Sequence, residues 1–468
     1  MKLVLLSGGS GKRLWPMSND IRSKQFLRVL PTDGATAPQS MLQRVWKQID
    51  RRGLQKDAYV CASKAQSEMI YAQVGNVPLI EEPSRRDTFP AIAMSVLYLL
   101  DVVGIDADEP IAICPVDHFV DDHYFTEIQT LGTLLTSHGI DLALMGVEPM
   151  EPTSKFGYIV PENANRGENV LHVRTFVEKP DRNRATKLIA EGALWNCGVF
   201  CFRARTIYDL LAKRGWPTSY EACVARFDEF PKRSFDYEVV EHMTSIIVHP
   251  YRGTWNDLGT WAALSDRTVS QTVGKGTLYE CENTHIINEL GIPVVTMGLR
   301  DAIVVATPDG ILAADKRVSA NLKDVVGTLQ NRPMYEERIW GSYRVLDYQK
   351  LDDGTEVLTK TIELLPGKNI SYQKHMMRGE VWTVIDGHGE VILGTDRFAV
   401  GPGDVVRVKA NEWHAIRTEV GLKFIEVQRG SELVEEDIAR KYLSWDELED
   451  ALASGLLLKD GSSRNRGE

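Results

Sequence analysis

A chain of 468 residues is long enough for about three domains of ordinary size, so a lone small module is excluded. Its 43% hydrophobic and 25% charged residues are typical of globular proteins and exclude wholesale disorder. The 54 Lys and Arg residues against 65 Asp and Glu residues leave a formal net charge of -11, which disfavours nucleic acid as a partner. Any phosphate ligand must therefore be bound in a local basic pocket, with help from a divalent cation.

The cysteines and the N-terminus indicate where the protein works. No CxxC pair occurs among the six cysteines, which favours reduced thiols over a zinc site. The apolar run at residues 3–6 is far shorter than the core of a signal peptide, and no stretch approaches the ~20 apolar residues of a membrane span. We therefore interpret the chain as a soluble, cytoplasmic protein with no membrane partner.

Residues 1–265 alternate short apolar runs with longer segments of helical period. This pattern predicts strands separated by crossover helices, and thus an α/β domain with a mostly parallel sheet. Helical spacing of apolar residues occurs at 89–100 and in part of 186–194. The predicted strands lie at residues 3–6, 58–61, 111–114, 142–145 and 199–202.

The sequence becomes β-rich beyond residue 265. Short apolar pieces separated by Gly, Asn and Asp-Gly turns predict a small β extension and linker over residues 266–333. Closely spaced strands with Pro-Gly and Gly-x-Gly turns follow, and they predict a β-barrel with a helical end over residues 334–456. Residues 457–468 are predicted to form a flexible tail.

A glycine-rich loop follows the first predicted strand. Three glycines within four positions let the backbone curl with its N–H groups pointing inward, and two basic residues add positive charge there. The loop matches neither GxxxxGK(S/T) nor GxGxxG, and a plain tight turn is the alternative. Lys24 favours phosphate binding, because a lysine that returns to the loop supplies a second cation for a polyphosphate. The candidate phosphate-binding residues of this loop are Ser7, Gly8, Gly9, Gly11, Lys12 and Arg13.

The loop belongs to a larger set of motifs. GGSGKRLWPMS followed by KQFL resembles the signature of the sugar-phosphate nucleotidyltransferases, and within them of the mannose-1-phosphate guanylyltransferases. Asp87 and Phe89 depart from the family segment EPxxRNTAPAI. The resemblance implies a Rossmann-like nucleotidyltransferase domain that joins GTP to a sugar 1-phosphate, chiefly mannose 1-phosphate, with release of pyrophosphate. The further matching segments, in order, are EPSRRDTFPAI, PVDH, FGYI, FVEKP, LWNCG and WNDLGTW.

Two aspartates are candidate magnesium ligands. Asp117 closely follows a predicted strand and Asp257 lies in a turn flanked by tryptophans, so both carboxylates are expected at the carboxyl edge of the sheet. A helix cap or a turn is the alternative role for each. The family resemblance implies the same pair, with Mg²⁺ as the cofactor.

The matching motifs supply the other expected site residues. Arg13 and Lys24 are expected to act in catalysis with Asp117 and Asp257, by binding the triphosphate and stabilising charge in the transition state. Lys179 is expected to bind the sugar phosphate. Selection of guanine rests on the resemblance. The expected sugar-phosphate-binding residues are Gly157, Glu178, Lys179 and Asn196. The expected nucleotide-binding residues are Ser7, Gly8, Gly9, Gly11, Lys12, Arg13, Arg86 and Asp87.

The predicted barrel has the residue spacing of a cupin and resembles the type II mannose-6-phosphate isomerase domain, whose signature runs QxHxHRxEHW. The spacing predicts a second divalent metal, Zn²⁺ or a similar ion, inside the barrel. Met377 and Val381 stand where the signature has histidines, which removes candidate proton shuttles. A structural or dimerising barrel is the alternative to an isomerase. The expected metal ligands are Gln373, His375, Glu380 and His414.

The leading interpretation is a magnesium-dependent guanylyltransferase with GTP and a sugar 1-phosphate as substrates and an appended cupin barrel. One alternative is a bifunctional enzyme that also interconverts mannose 6-phosphate and fructose 6-phosphate. Others are a guanylyltransferase for a different sugar 1-phosphate and a sugar-nucleotide-binding regulator without turnover. The resemblance also suggests a homodimer.

Overall fold

The computed structural model describes residues 1–9, 11–19, 21–32, 35–163, 168–329 and 332–454. The chain folds into two compact units. The first comprises Met1–Thr307 and Ile311–Leu329, and the second comprises Pro308–Gly310 with the described part of Gln330–Glu468. The predicted tail at 457–468 and Ser10 of the glycine loop lie outside the described residues.

The first unit begins with alternating strands and helices. Its strands up to residue 257 are β1 (Lys2–Leu6), β2 (Leu30–Thr32), β3 (Ala35–Gln39), β4 (Ala58–Ser63), β5 (Leu79–Glu82), β6 (Pro110–Pro115), β7 (His118–Val120), β8 (Leu142–Val147), β9 (Tyr158–Pro161), β10 (Leu171–Val177), β11 (Leu194–Arg203), β12 (Ile246–Tyr251) and β13 (Trp255–Asp257). Its helices up to residue 265 are α1 (Met41–Arg51), α2 (Ser67–Val74), α3 (Thr88–Tyr98), α4 (Tyr124–His138), α5 (Arg182–Ala190), α6 (Ala204–Lys213), α7 (Tyr220–Ala225), α8 (Phe235–Glu238) and α9 (Trp261–Ser265).

A nine-stranded sheet in the order β5-β4-β1-β6-β11-β8-β12-β10-β9 forms the centre of this unit. β10 and β11 run opposite to the other seven strands, so the sheet is mixed with one dominant direction. Both faces are covered. Leu3 and Leu5 of β1 belong to one hydrophobic core, whereas Val4 and Leu6 belong to another. Burial on both faces explains why these strands are continuous apolar runs in the sequence.

Two predicted boundaries shift in the structure. The helical segment expected within 186–194 is α5, which begins at Arg182 behind the capping residue Asp181 and ends at Ala190. Leu194 instead begins β11, because its side chain is buried against the sheet. The segment predicted at 89–100 is α3, which continues as a π-helical turn at Leu99–Val103.

The β-rich extension belongs largely to the first unit. Its strands β14, β16 and β18 pair in parallel, and so do β15 and β17. Its buried residues Ile303 and Val305 belong to the same hydrophobic core as Leu3. The extension therefore shares a core with the α/β sheet. Its elements are β14 (Thr272–Val273), β15 (Gly276–Tyr279), β16 (His285–Asn288), β17 (Val294–Met297), β18 (Ala302–Thr307), β19 (Gly310–Asp315) and α10 (Leu322–Val326).

The second unit is a barrel of two sheets with the orders β20-β21-β22-β29-β24-β27 and β26-β25-β28-β23-β30. Its apolar core includes Leu358, Val391 and Phe424. The helix α11 closes the unit and begins at a capping box formed by Ser444 and Glu447. Its elements are β20 (Tyr335–Arg338), β21 (Gly341–Lys350), β22 (Glu356–Leu364), β23 (Lys368–Lys374), β24 (Arg378–Gly387), β25 (Gly389–Leu393), β26 (Asp396–Val400), β27 (Val405–Val408), β28 (His414–Thr418), β29 (Leu422–Gly430), β30 (Ala439–Tyr442) and α11 (Trp445–Ala453).

The predicted fold class is confirmed: an α/β domain is followed by a small β extension and a β-barrel. The exact domain boundaries stay predictions. Among the described residues, no helix has both the length and the apolar character needed to cross a membrane.

Candidate functional site

A cavity of about 550 Å³ lies at the carboxyl edge of the central sheet. Leu6, Glu82 and Pro115 line it, and these are the last residues of β1, β5 and β6. Its size is within the range of small-molecule sites, and ligands of open α/β sheets bind at this edge. The motifs singled out in the sequence meet around this cavity.

The glycine loop is held in place by side chains that the sequence analysis did not identify. Gln25 donates hydrogen bonds from Nε2 to the carbonyl oxygen of Ser7 at 3.1 Å and to its hydroxyl at 3.0 Å. The Ser23 hydroxyl donates to the carbonyl oxygen of Gly9 at 3.1 Å and accepts from Nε2 of Gln66 at 2.8 Å. Gly9 has a φ of 122°, which favours glycine. The loop is therefore tethered at Ser7 and at Gly9.

A second cavity, of about 250 Å³, lies beside the same loop. Gly8 and Gly9 line both cavities, and Arg13 and Lys24 line the smaller one. Gly11 opens the short 3-10 helix Gly11–Leu14. Lys12, which was also predicted to bind the nucleotide, is not among the residues that line either cavity.

The predicted pair of aspartates is brought together by strand pairing. Asp257 lies at the end of β13 and not in a turn, because β13 pairs antiparallel with β7 and places Asp257 opposite His118. Asp117 is the neighbour of His118 in the chain. Lys24 lies between the two carboxylates, with Nζ 2.8 Å from Oδ2 of Asp117 and 2.8 Å from Oδ1 of Asp257.

The ion pairs keep this group charged. Burial opposes ionisation of Asp117, but the charge of Lys24 lowers its pKa below the usual value. Burial likewise opposes the charge of Lys24, but Asp117 and Asp257 raise its pKa. Carboxylate oxygens are the ligands that Mg²⁺ prefers, so the donor set fits this ion. A divalent cation would share these oxygens with the ammonium group of Lys24.

The predicted sugar-binding residues lie at another part of the larger cavity. Glu178, Asn196 and Gly157 all line it. A Cβ at position 157 would collide with the carboxylate of Glu178, so this glycine makes room for that side chain. Lys179 is half-exposed, with Nζ 2.7 Å from Oε1 of Glu178, and does not line the cavity in this structure. Its φ of 45° is a strained conformation of the kind found at binding sites.

Asp236 is a further cavity residue that the sequence analysis missed. It lines the cavity, and Nδ2 of Asn196 donates a hydrogen bond to its Oδ1 at 2.6 Å. Burial and the nearby charge of Glu178 raise the pKa of Asp236 to about 7. Asp236 lies on the short helix α8, which is held against the sheet because its neighbour Phe235 stacks on Phe202. In the sequence it resembles an ordinary acidic residue in the first turn of a helix, so no local signal distinguishes it.

Arg86 and Asp87, predicted to bind the nucleotide, already have protein partners. Arg86 lines the larger cavity, donates from Nε to the carbonyl oxygen of Phe230 at 2.9 Å and pairs with Asp228. Asp87 also lines the cavity and caps α3, where its Oδ1 accepts from the backbone N–H of Thr88 at 2.8 Å. Burial is the main cause of the raised pKa values of Glu178 and Asp236, and the charge of Asp87 adds a smaller contribution.

The barrel brings three of its four predicted ligands together in the interior. Nε2 of His375 is 3.3 Å from Oε1 of Glu380, and Nε2 of His414 is 3.8 Å from Oε2 of the same residue. All three side chains are buried, and their ligand atoms lie within 4.8 Å of one another. The amide of Gln373 turns its nitrogen toward His375, at 3.4 Å, while its oxygen accepts from Ser371. Gln373 is thus nearby but not oriented as an oxygen ligand.

The two histidines are oriented by backbone carbonyl oxygens. Nδ1 of His375 contacts the carbonyl oxygen of Asp437 at 2.5 Å, and Nδ1 of His414 contacts that of Glu412 at 2.9 Å. Both Nε2 atoms therefore face Glu380. The buried Nε2 of His414 has no hydrogen-bond partner among the described residues. Two imidazole nitrogens and a carboxylate with oriented partners fit a transition metal such as Zn²⁺.

Side chains alternate between the two faces of β24, and this changes the interpretation of Val381, which departs from the isomerase signature. Val381 is 38% exposed on the outer face of β24, whereas its neighbours Glu380 and Trp382 are only 4% and 2% exposed. A histidine at 381 would lie outside the barrel, so its absence removes no shuttle from the interior. Met377 is also exposed. The valine at position 381 therefore does not account for the expected loss of proton-shuttling histidines.

The barrel interior contains further polar residues around Glu380, of which Arg378 and Trp382 match the isomerase signature. Arg378 donates from Nε to Oε1 of Glu380 at 3.1 Å. Nε1 of Trp382 donates to both Glu380 and Glu426, at 3.1 Å each. Burial and the charge of Glu380 raise the pKa of Glu426 to about 8. Lys360 is also buried, with Nζ 2.8 Å from Oε1 of Glu435. Such a charged interior exceeds what a purely structural barrel needs.

The fold and these sites have counterparts in known proteins. A family model described as nucleotidyl transferase matches residues 2–272, and one described as mannose-6-phosphate isomerase C-terminal matches residues 330–442. The alginate biosynthesis protein AlgA of Pseudomonas fluorescens is 31% identical over 475 residues, covering 93% of this chain and 95% of that protein. A mannose-1-phosphate guanylyltransferase of Escherichia coli K12 is 29% identical, with 93% and 97% covered.

A solved structure agrees with these relatives. The crystal structure described as mannose-1-phosphate geranyltransferase from Thermus thermophilus has a TM-score of 0.58 and 26% identity, and it covers 70% of this chain and 99% of its own. The first family model alone spans more than half of the 468 residues. The chain therefore belongs to the nucleotidyl transferase family.

Proposed function

We propose that this protein joins GTP to mannose 1-phosphate, forming GDP-mannose and pyrophosphate. One observation carries the proposal: Asp117, which forms a charged group with Lys24 and Asp257, lines both the cavity of the tethered glycine loop and the larger cavity that contains Glu178 and Asp236. The loop suits a polyphosphate and the carboxylates suit sugar hydroxyls. Relatives described as mannose-1-phosphate guanylyltransferase, from Escherichia coli and Salmonella muenchen, support the choice of base and sugar.

The triphosphate binds at the glycine loop in this proposal. Backbone N–H groups of the loop and the guanidinium of Arg13 bind its phosphates, while Asp117 and Asp257 hold Mg²⁺. The ion, when bound, neutralises charge on the reacting phosphates. Lys24 adds a positive charge at the same place. The reaction needs no protein acid or base, because a phosphate oxygen attacks directly and pyrophosphate leaves.

The sugar binds at the carboxylate end of the cavity. Glu178 and Asp236 accept hydrogen bonds from sugar hydroxyls, and the amide of Asn196 is held in orientation by Asp236. In their ionised form carboxylates only accept hydrogen bonds, so they fit hydroxyl donors and repel a phosphate. Lys179 binds the phosphate of the sugar when it leaves Glu178. Arg86 and Asp87 keep their proposed place beside the nucleotide, and both line the same cavity.

Pyrophosphate release over a matrix of four nucleoside triphosphates and several hexose 1-phosphates tests this function. We expect GTP with mannose 1-phosphate to give the highest kcat/KM. Turnover with a different sugar 1-phosphate only would contradict the assignment of mannose 1-phosphate but not the nucleotidyl transfer. Binding of a sugar nucleotide without turnover of any pair would instead favour a regulator.

A second function is proposed for the barrel: isomerisation between mannose 6-phosphate and fructose 6-phosphate. The buried group of His375, Glu380 and His414, with Lys360 and Glu426 in the same interior, favours it over a structural barrel. The test is interconversion of the two sugar phosphates by the full chain with added Zn²⁺ or a similar ion. The His375→Ala variant serves as the control, and equal rates in both proteins would contradict an isomerase site. A homodimer and a cytoplasmic location stay predictions.

A further inference from the structure

The β extension places one of its helices beside the glycine loop. The helix α10 packs against the 3-10 helix Gly11–Leu14. Leu322 and Val326 of α10 are buried in the same hydrophobic core as Leu14 and Met17. Leu322 and Val326 are buried there, whereas Val325 of the same helix is exposed, so packing of the two buried side chains determines the orientation of the helix relative to the loop.

This packing brings a lysine to the smaller cavity. Lys323 follows Leu322 in the chain and lines the cavity of about 250 Å³ together with Arg13 and Lys24. Its side chain is exposed. Among the described residues, neither Lys323 nor Arg13 forms an ion pair. Lys24, by contrast, is neutralised by Asp117 and Asp257 at 2.8 Å each.

The charges of this cavity fit an anion with several negative charges. Lys24 and the two aspartates sum to a net charge of -1, and a divalent cation at the aspartates would change that sum to +1. Arg13 and Lys323 then add two cations with no protein partner among the described residues. Gly8 and Gly9 line the same cavity, where backbone N–H groups can bind phosphate oxygens. A cavity of this kind attracts a polyphosphate. A neutral ligand would not compensate its positive charges.

We propose that Lys323 is a further substrate-binding residue, which binds the β- and γ-phosphates of the nucleoside triphosphate and then the departing pyrophosphate. This inference rests on the proposed function. In that reaction an oxygen of the sugar phosphate forms a bond to the α-phosphorus. The bond from that phosphorus to the bridging oxygen breaks, and pyrophosphate leaves with the electron pair. Lys323 stabilises the charge that accumulates on this leaving group. The extension thereby completes the catalytic site.

The experiment compares Lys323→Gln and Lys323→Arg with the wild-type chain. Lys187→Gln is the matched control, because Lys187 is an exposed lysine of α5 that lines neither cavity. Turnover of GTP with mannose 1-phosphate by the wild-type protein is measured first. Absence of turnover with every substrate pair would overturn the proposed function, and pyrophosphate binding would then test Lys323 by itself.

In Lys323→Gln we expect the KM for GTP and the dissociation constant for pyrophosphate with Mg²⁺ to rise about ten- to a hundredfold. The KM for the sugar 1-phosphate should not change, and Lys323→Arg should recover most of the affinity. Calorimetric titration with pyrophosphate gives a measure that does not depend on turnover. Unchanged values for GTP and pyrophosphate would overturn the inference. An equal rise for the sugar 1-phosphate would also overturn it, since that indicates a general disturbance of the fold.

Discussion

The two candidate metal sites of this protein are built in opposite ways. Asp117 and Asp257 are about a quarter exposed, and a single lysine compensates their charge. His375, Glu380 and His414 are buried in a barrel, where backbone carbonyl oxygens orient both imidazole rings. The first site is open to a large anionic ligand, whereas the second is enclosed by its own protein partners.

The difference concerns which part of the system supplies the compensating charge. In an open site, solvent, the nucleotide and the metal share that role, so a carboxylate can be left with one cation. In a buried site the protein must supply every partner, because an unpaired charge there is costly. This is why Arg378 and Trp382 both donate hydrogen bonds to Glu380.

The strongest way to separate the two sites is to remove a carboxylate from the open one. Asp117→Ala or Asp257→Ala should lower nucleotidyl transfer on the order of a thousandfold, because the metal loses a ligand at the reacting phosphates. The melting temperature and the metal content of the barrel should stay close to those of the wild type. Near-normal pyrophosphate release in both variants would contradict the metal assignment.

The reverse experiment removes a ligand from the buried site. His375→Ala should lose the divalent ion of the barrel by elemental analysis, while the kcat for nucleotidyl transfer stays within about twofold, since His375 belongs to a separate compact unit. Val381→Ala is the matched control, because that side chain lies on the outer face of the same region. Equal ion content in His375→Ala and the wild type would remove the barrel site.

Within the first site, a substitution of Lys179 distinguishes binding of the sugar 1-phosphate from binding of GTP. Lys179→Ala should raise the KM for the sugar 1-phosphate about tenfold, as expected for loss of one charge-assisted contact. The KM for GTP should be unchanged. An effect confined to GTP would contradict the assignment and would place Lys179 with the residues of the glycine loop.

The smallest expected effect is a pH dependence of stability from Asp236. Burial raises its native pKa to about 7, while the unfolded chain ionises near the ordinary value of 3.8. Between these values the native state holds more protons than the unfolded state, so wild-type stability falls as pH rises. Asp236→Asn cannot ionise. Its melting temperature relative to the wild type should therefore increase by about 2–4 °C between pH 4.5 and pH 7.5.

A constant difference in melting temperature across this pH range would contradict a raised pKa for Asp236. Asp209→Asn is the control, because Asp209 is exposed on α6 and should not change the pH dependence.

Local motifs predicted much of the first site. The glycine loop and Asp117 follow the ends of β1 and β6, since the carboxyl edge of a sheet collects such residues. Asn196, which was expected from the family resemblance, lines the same cavity from within β11. Asp257 was placed in a turn, although it ends a strand paired to β7. Three residues are too few for a periodic pattern, so a strand as short as β13 cannot be recognised from its sequence.

The sequence by itself determined the fold class and the types of residue at both sites, because these depend on apolar periodicity and on motifs within a few residues of one another. The tertiary structure alone decided that Lys24 lies between the aspartates, that Asp236 lines the larger cavity with Glu178 and that Lys323 lines the smaller cavity with the glycine loop. Each of these contacts joins residues that are far apart in the chain. Such contacts depend on how helices and strands pack over long sequence separations, and no local pattern encodes that.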